Sequence, residues 1–251
     1  MSEMQLPEEL RIPIDQYWSQ LIGCSPADLR TPELKVIFTD ASPGVVALKT
    51  TGDWIIAFNK EISREATDAL LPLLKEDLST EEARHRVHDA LSPFGLSPVF
   101  GPSELLYSDA THRKLFPPYE NYRWLTAEDQ PAFEKFRSKM DSYVEYTVTD
   151  PGVWQYVLAG IADDEIISVV AGRVWGNQIV EIYADTLAGH RNFGVVTGLG
   201  RVFLDHLSAT TNYIFQTDNE LTNPASGMVS RKSGFMFYGQ MLMTMTTVTE
   251  A

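Results

Sequence analysis

From residue 153 to residue 186 apolar, β-rich runs are broken by two polar turns, and the last run, QIVEIYADT, alternates apolar and polar positions. The pattern then changes to helical spacing across one glycine-bearing loop. VWQYVLAGIADDEIISVVAGRVWGNQIVEIYADT reads as three consecutive antiparallel strands, with turns at Asp163-Asp164 and Gly176-Asn177. In its last strand Glu181, Tyr183 and Asp185 share one face, and Val180, Ile182 and Ala184 the other. After His190-Arg191-Asn192-Phe193-Gly194, residues Val195, Leu199, Val202, Phe203 and His206 recur at helical spacing, an amphipathic helix ending near Ala209. NYIFQTD follows as a strand, then a helix, then YGQMLMTMTTVT, which reads as an edge strand. A helix crosses between the strands on either side of the loop, so those two strands should be parallel.

The first half of the chain patterns differently. Residues from Pro7 to Ile22 form a helix with Trp18, Leu21 and Ile22 on its buried stripe. Ser25 caps a short turn. LKVIFTD, GVVALKT and DWIIAFN are strands, the second and third forming a hairpin. Ser63 caps a helix with an Ala66, Ala69, Leu70 and Leu73 stripe, and Ser79-Thr80-Glu81-Glu82 opens another. LSPVFGPSELLYSD adds one or two strands. Pro117-Pro118 forbids helix locally and sets the expected domain boundary, giving an N-terminal α/β domain over 1–118 and a second domain over 119–251. YRWLT opens the second domain as a strand, and Thr126 caps a helix with Glu128 and Asp129 in its first turn. The expected fold class is α/β (α+β), with a mixed, mostly antiparallel sheet flanked by helices.

Composition narrows the function classes. The chain has 251 residues, 44% of them hydrophobic, and a formal net charge of −14. No apolar run has the length of a membrane span. The acidic start, MSEMQLPEEL, lacks a signal-peptide pattern. One cysteine, Cys24, excludes an intrachain disulfide and fits a reducing cytoplasm, where it serves as a small buried hydrophobe. With no run of Lys or Arg, such an acidic chain repels nucleic acid and anionic membranes. It suits a cationic or amine partner. His85 and His88 lie at i,i+3 on a helix, but no third ligand accompanies them, so no metal is expected.

The strand, Arg/Gly loop and helix form an anion-binding junction: the first N–H groups of a helix lack partners and carry partial positive charge, and Gly194 lets a ligand approach the backbone. Here the sequence resembles the GNAT N-acetyltransferase superfamily. Arg191, Gly194 and Val196 occupy the three positions of its phosphate loop, [QR]-x-x-G-x-[GA]. Asn223, Ser226, Ser230, Gly234 and Phe235 fall in register with its second signature, N-x-x-[AS]-x-x-x-Y-x-x-x-G-F. The resemblance covers the chain from about Asn121. Val196 stands where the family has Gly or Ala, and Ser230 where many members have Tyr. Element order also allows the N-terminal half to be a diverged copy of the same fold.

The resemblance implies acetyl-CoA as cosubstrate. Its pyrophosphate would rest on the loop Arg191, Asn192, Phe193, Gly194, Val195, Val196 and Thr197. The strand ending at Thr186 would hold the pantetheine arm, and Asn223 and Ser226 would lie beside its far end. Tyr143, Glu145 and Tyr146 fall where the family shapes its acceptor pocket. An amine must lose a proton before it attacks a thioester, and a carboxylate suits that task. Glu181 is the first candidate base and Asp185 the second. Ser230 or Tyr238 would supply a donor to the departing thiolate. The expected activity is acetyl transfer to a small-molecule amine. The alternatives are a non-catalytic CoA-binding module on the same fold and an interaction protein docking through residues 30–110.

Overall fold

The structure is a computed structural model and describes residues 6–114, 116–140, 154–176 and 178–246. The described chain packs as two compact units that interleave in sequence. Unit 1 comprises residues 1–106, 218–228 and 236–251, and unit 2 comprises 107–217 and 229–235. A single cut at 118/119 would therefore separate unit 1 from its own C-terminal segments.

Unit 1 begins with α1 (Glu8–Ile22), which stops at Gly23, a glycine at φ 76° whose N–H caps Ser19 O. Trp18 and Ile22 are buried, as the spacing predicts, and Leu21 is half-buried. Ser25 Oγ accepts the N–H of Asp28, so Ser25 does cap the turn after α1. Three strands follow, β1 (Lys35–Thr39), β2 (Gly44–Lys49) and β3 (Trp54–Asn59), then α2 (Arg64–Leu70), α3 (Glu81–Leu91) and β4 (Leu96–Ser108). Thr80 Oγ1 accepts from Ala83 N–H and caps α3. The β2–β3 hairpin is present, and β1 joins β3 in parallel.

The C-terminal strand β10 (Met236–Thr246) overturns the edge-strand expectation. It pairs antiparallel with β2 from Gln240↔Lys49 to Met245↔Gly44 and has β4 on its other side, in the order β1-β3-β2-β10-β4. Thr244 turns its hydroxyl inward to accept the Val45 N–H, and Leu242 joins a core with Val45, Ile56, Leu70, Val87 and Leu96. The methionine-rich pattern is that of an interior strand filling gaps.

Cys24, expected to be buried, is only half-buried. Partial burial, and then the nearby Asp28 carboxylate, still push its thiol up to about 11. At pH 8 it should react with iodoacetamide roughly a hundredfold more slowly than an unperturbed thiol, because only the thiolate attacks. A rate equal to that of free cysteine would contradict this.

Unit 2 carries β5 (Tyr122–Trp124), α4 (Gln130–Arg137), β6 (Tyr156–Ala162), β7 (Glu165–Trp175), β8 (Ile179–Thr186), α5 (Val195–Thr210), most of β9 (Ile214–Glu220) and the end of α6 (Pro224–Lys232). Thr126 and Asp129 form a capping box ahead of α4. The strand order is β9-β8-β7-β6-β5, antiparallel except for the expected parallel pair β8–β9. Asp163 and Asp164, both at positive φ, make the tight β6–β7 turn. The fold is thus the mixed, mostly antiparallel sheet flanked by helices that the pattern predicts.

Helices cover both faces of this sheet. Phe133 and Phe136 of α4 pack on Val157, Val169 and Ala171, with Trp154 beside them. On the other face, α5 comes close because the strands present glycines to it. A Cβ on Gly172 would lie 2.7 Å from the Phe203 ring, and one on Gly160 would lie 2.9 Å from Leu199. Among the described residues, no helix is long and apolar enough to cross a membrane.

Candidate functional site

The parallel β8–β9 ladder is short. It pairs Ile179↔Ile214, Val180↔Phe215 and Glu181↔Gln216, and then ends, although β8 runs on to Thr186. Beyond the last pair a cavity of about 80 Å³ opens on the Ile182 and Ala184 face, walled by Val196, Thr197 and Gly200 of α5 and by Ser230 of α6. The sequence pattern placed these strand residues on one face, and the structure keeps them there. A larger cavity of about 350 Å³ lies in unit 1, and several of its polar groups are already engaged. Glu76 pairs with Arg86, Asp77 accepts from Ser79, and Lys49 sits over the Trp54 ring. Among the described residues, no group of three or more His, Cys, Asp or Glu could hold a metal ion.

The loop between β8 and α5 is shaped by two residues at positive φ, Asn192 at 69° and Gly194 at 78°. Gly194 is the helix N-cap and offers no side-chain acceptor. The first helical bond is Gly198 N–H to Gly194 O, so the N–H groups of Val195, Val196 and Thr197 have no acceptor within the helix. A Cβ built on Gly194 would touch only Thr197 Oγ1, at 3.7 Å, so the loop is open above it. Thr197 donates its hydroxyl back to Gly194 O, Val195 is buried beneath, and Phe193 is 79% exposed. Arg191 does not simply project outward: its Nε donates to Thr186 O at 2.9 Å, and a terminal nitrogen lies 3.6 Å from Asp185. This arginine braces the loop against the end of β8.

Glu181 and Asp185 occupy the opposite face from the cavity walls Ile182 and Ala184, as the alternation requires. Glu181, with its side chain 14% exposed, accepts hydrogen bonds from Arg173 Nε and Trp175 Nε1. Arg173 in turn lies 4.4 Å from the Trp175 ring centroid and 5.2 Å from that of Trp154. Sequence reading missed this cation–aromatic cluster, although a signal existed: a hairpin centred on residue 177 puts Arg173 directly opposite Glu181, and the register is just that. Asp185 accepts the Thr186 N–H at 2.6 Å and the Tyr183 hydroxyl at 3.3 Å.

Thr186 is buried, and its hydroxyl meets Ser168 Oγ at 2.8 Å. Ser230 is buried in the cavity wall and accepts from Thr217 Oγ1 at 3.3 Å. Tyr238 belongs to unit 1, where its hydroxyl donates to Asp15 at 2.9 Å, a carboxylate that also receives Arg11 and Arg30. The structure therefore gives Tyr238 a buried partner of its own. Asn223 and Ser226 also fall in unit 1. Asn223 Oδ1 accepts the Ser226 N–H, and Ser226 donates to Asn219 Oδ1 at 2.6 Å, contacts that fasten the first turn of α6. Tyr143, Glu145 and Tyr146 lie outside the described residues.

The sequence matches no family model and no curated protein. Solved structures do resemble the fold. A GNAT-family acetyltransferase from Colwellia psychrerythraea aligns over 98% of this chain and 99% of its own, at TM-score 0.50 and 10% identity. A GNAT-family structure from Novosphingobium aromaticivorans aligns over 59% of this chain, at TM-score 0.45 and 16% identity. A GCN5-related N-acetyltransferase from Kribbella flavida aligns over 64%, at 0.43 and 12%. The chain spans 65% and 63% of the lengths of the latter two. At such identities the likeness is one of fold, and the chain has the GNAT acetyltransferase fold.

Proposed function

We propose that the protein transfers an acyl group, acetyl in the simplest case, from acyl-CoA to a small-molecule amine. The observation that carries this reading is the junction at the end of the β8–β9 ladder. There two parallel strands stop pairing, and the αL glycine Gly194 starts a helix whose first amides lack helical acceptors. Such amides favour a pyrophosphate, and the residue without a Cβ leaves the approach clear. The residues present fit CoA there, with the loop from Asn192 to Thr197 as its phosphate cradle.

The chemistry required of the protein is modest. The neutral amine nitrogen attacks the thioester carbonyl, the C–N bond forms, the C–S bond breaks, and the thiolate leaves with a proton. The chain must take one proton from the amine and supply a donor at sulfur. Glu181 and Asp185 are the carboxylates offered for the first task, and Ser230 for the second. Arg173 and Trp175 hold the Glu181 carboxylate in one orientation, so it would act through a water or after a shift of its donors.

Calorimetry with acetyl-CoA and CoA, followed by thiol release over a panel of small amines, amino acids and lysine peptides, tests this reading. Binding with acceptor-dependent CoA release is expected. Folded protein that binds neither nucleotide would sink it. Binding without turnover on any amine would favour the non-catalytic module, a reading motivated by Val196 and Ser230 standing where the family pattern differs.

A further inference from the structure

The connection from β4 to β5 crosses α5 and the end of α6 as a strap. Residues 112–114 and 116–119 lie on two glycines. A Cβ on Gly234 (φ +95°) would come within 2.5 Å of His112 O and 2.7 Å of Lys114 N, and one on Gly198 within 2.8 Å of Tyr119 N. Backbone and side-chain bonds hold the strap down: Lys114 N–H to Ser233 O at 2.9 Å, Arg201 to Phe116 O at 3.3 Å, and Arg113 to Asp205 at 2.7 Å and Ser208 at 3.2 Å.

This strap brings cations to the cavity beside the phosphate loop. Arg113, Lys114 and Arg201 all line it, and among the described residues no carboxylate does, in a chain of net charge −14. Asp205 pairs with both arginines, which leaves an excess of positive charge. Arg113 Nε is buried without a hydrogen-bond partner, and the Arg113 side chain is only 16% exposed. This Nε is the one cationic donor among the four buried side-chain atoms without a partner in the described residues, and a buried cationic donor suits an anion.

Resting on the acyl-CoA reading, we propose that Arg113 and Lys114 bind the ribose 3′-phosphate of CoA and so select CoA over its 3′-dephospho form. Arg201 lies seven residues beyond Gly194, about 10 Å along the helix axis. It therefore stands about two helical turns from the loop amides, beside the phosphate cradle and not in it. The ribose 3′-phosphate is the second phosphate position of the same molecule, one sugar away from the pyrophosphate.

Titration calorimetry of CoA and 3′-dephospho-CoA against wild type, Lys114→Ala and Lys114→Arg tests the proposal. Lys114 is the clean site, because its strap bond uses the backbone. Wild type should prefer CoA by about tenfold or more, the scale of one charge-assisted hydrogen bond. Lys114→Ala should lose most of that preference with dephospho-CoA affinity unchanged, and Lys114→Arg should keep it. A merely structural role would weaken both ligands alike. Equal wild-type affinities, or a preference that survives Lys114→Ala combined with Arg113→Gln, would overturn the 3′-phosphate assignment and leave the acyl-CoA reading standing. No binding of either ligand to folded wild type would overturn both.

Discussion

Glu181→Gln is expected to lower kcat/KM for an amine acceptor by about 10²–10⁴-fold, the usual contribution of a general base, with CoA affinity nearly intact. The amide keeps the shape and one acceptor oxygen, but it cannot take a proton as a carboxylate does. The loss should shrink at high pH, because an alkylammonium of pKa near 10 then arrives already neutral. The same substitution removes the charge that faces Arg173 and Trp175. A thermal melt must therefore accompany the kinetics. Lost ion pairing shows in the melt, whereas a lost base shows in the pH profile of turnover. Asp185→Asn is the paired measurement, since Asp185 lies on the same strand face. If Glu181→Gln is silent and Asp185→Asn is not, the role belongs to Asp185. If both are silent while wild type turns over, neither carboxylate is the base.

The second large effect belongs to the phosphate loop. Gly194→Trp should weaken CoA binding by about a hundredfold or more. Its indole would project from a position that now meets nothing closer than Thr197 Oγ1, into the space the phosphates approach. The φ of 78° adds a separate penalty, about 1–2 kcal/mol of stability for any residue with a Cβ. Gly194→Ala isolates that penalty: it should lower the melting temperature by a similar amount but spare most of the CoA affinity. Unchanged affinity in a folded Gly194→Trp protein would mean that the loop does not hold the phosphates.

Local chemistry made the site's scaffold legible in the sequence. Period-two alternation over residues 179–186 assigned Glu181 and Asp185 to one sheet face and Ile182 and Ala184 to the other, because successive side chains on a strand must point oppositely. Helical spacing after a glycine marked α5, and a helix between two neighbouring strands required them to be parallel. Caps at Ser25, Thr80 and Thr126 were readable for the same reason, since each satisfies donors within three residues.

Contacts between distant segments left no such trace. The alternation of β10 looks the same at an edge or in the interior, and only its pairing with β2, about 200 residues earlier, makes it an inner strand of unit 1. Tyr238 read as a candidate donor to the departing thiolate, and only the fold brought its hydroxyl to Asp15, 223 residues earlier. The proline-bearing stretch before β5 read as a boundary, since prolines exclude helix but say nothing of what the chain lies on. Folding laid it across Gly198 and Gly234 and carried Arg113 and Lys114 to the cavity. A spacing rule reaches as far as one strand or one helical turn. Where a charge ends up in space depends on which surfaces bury one another.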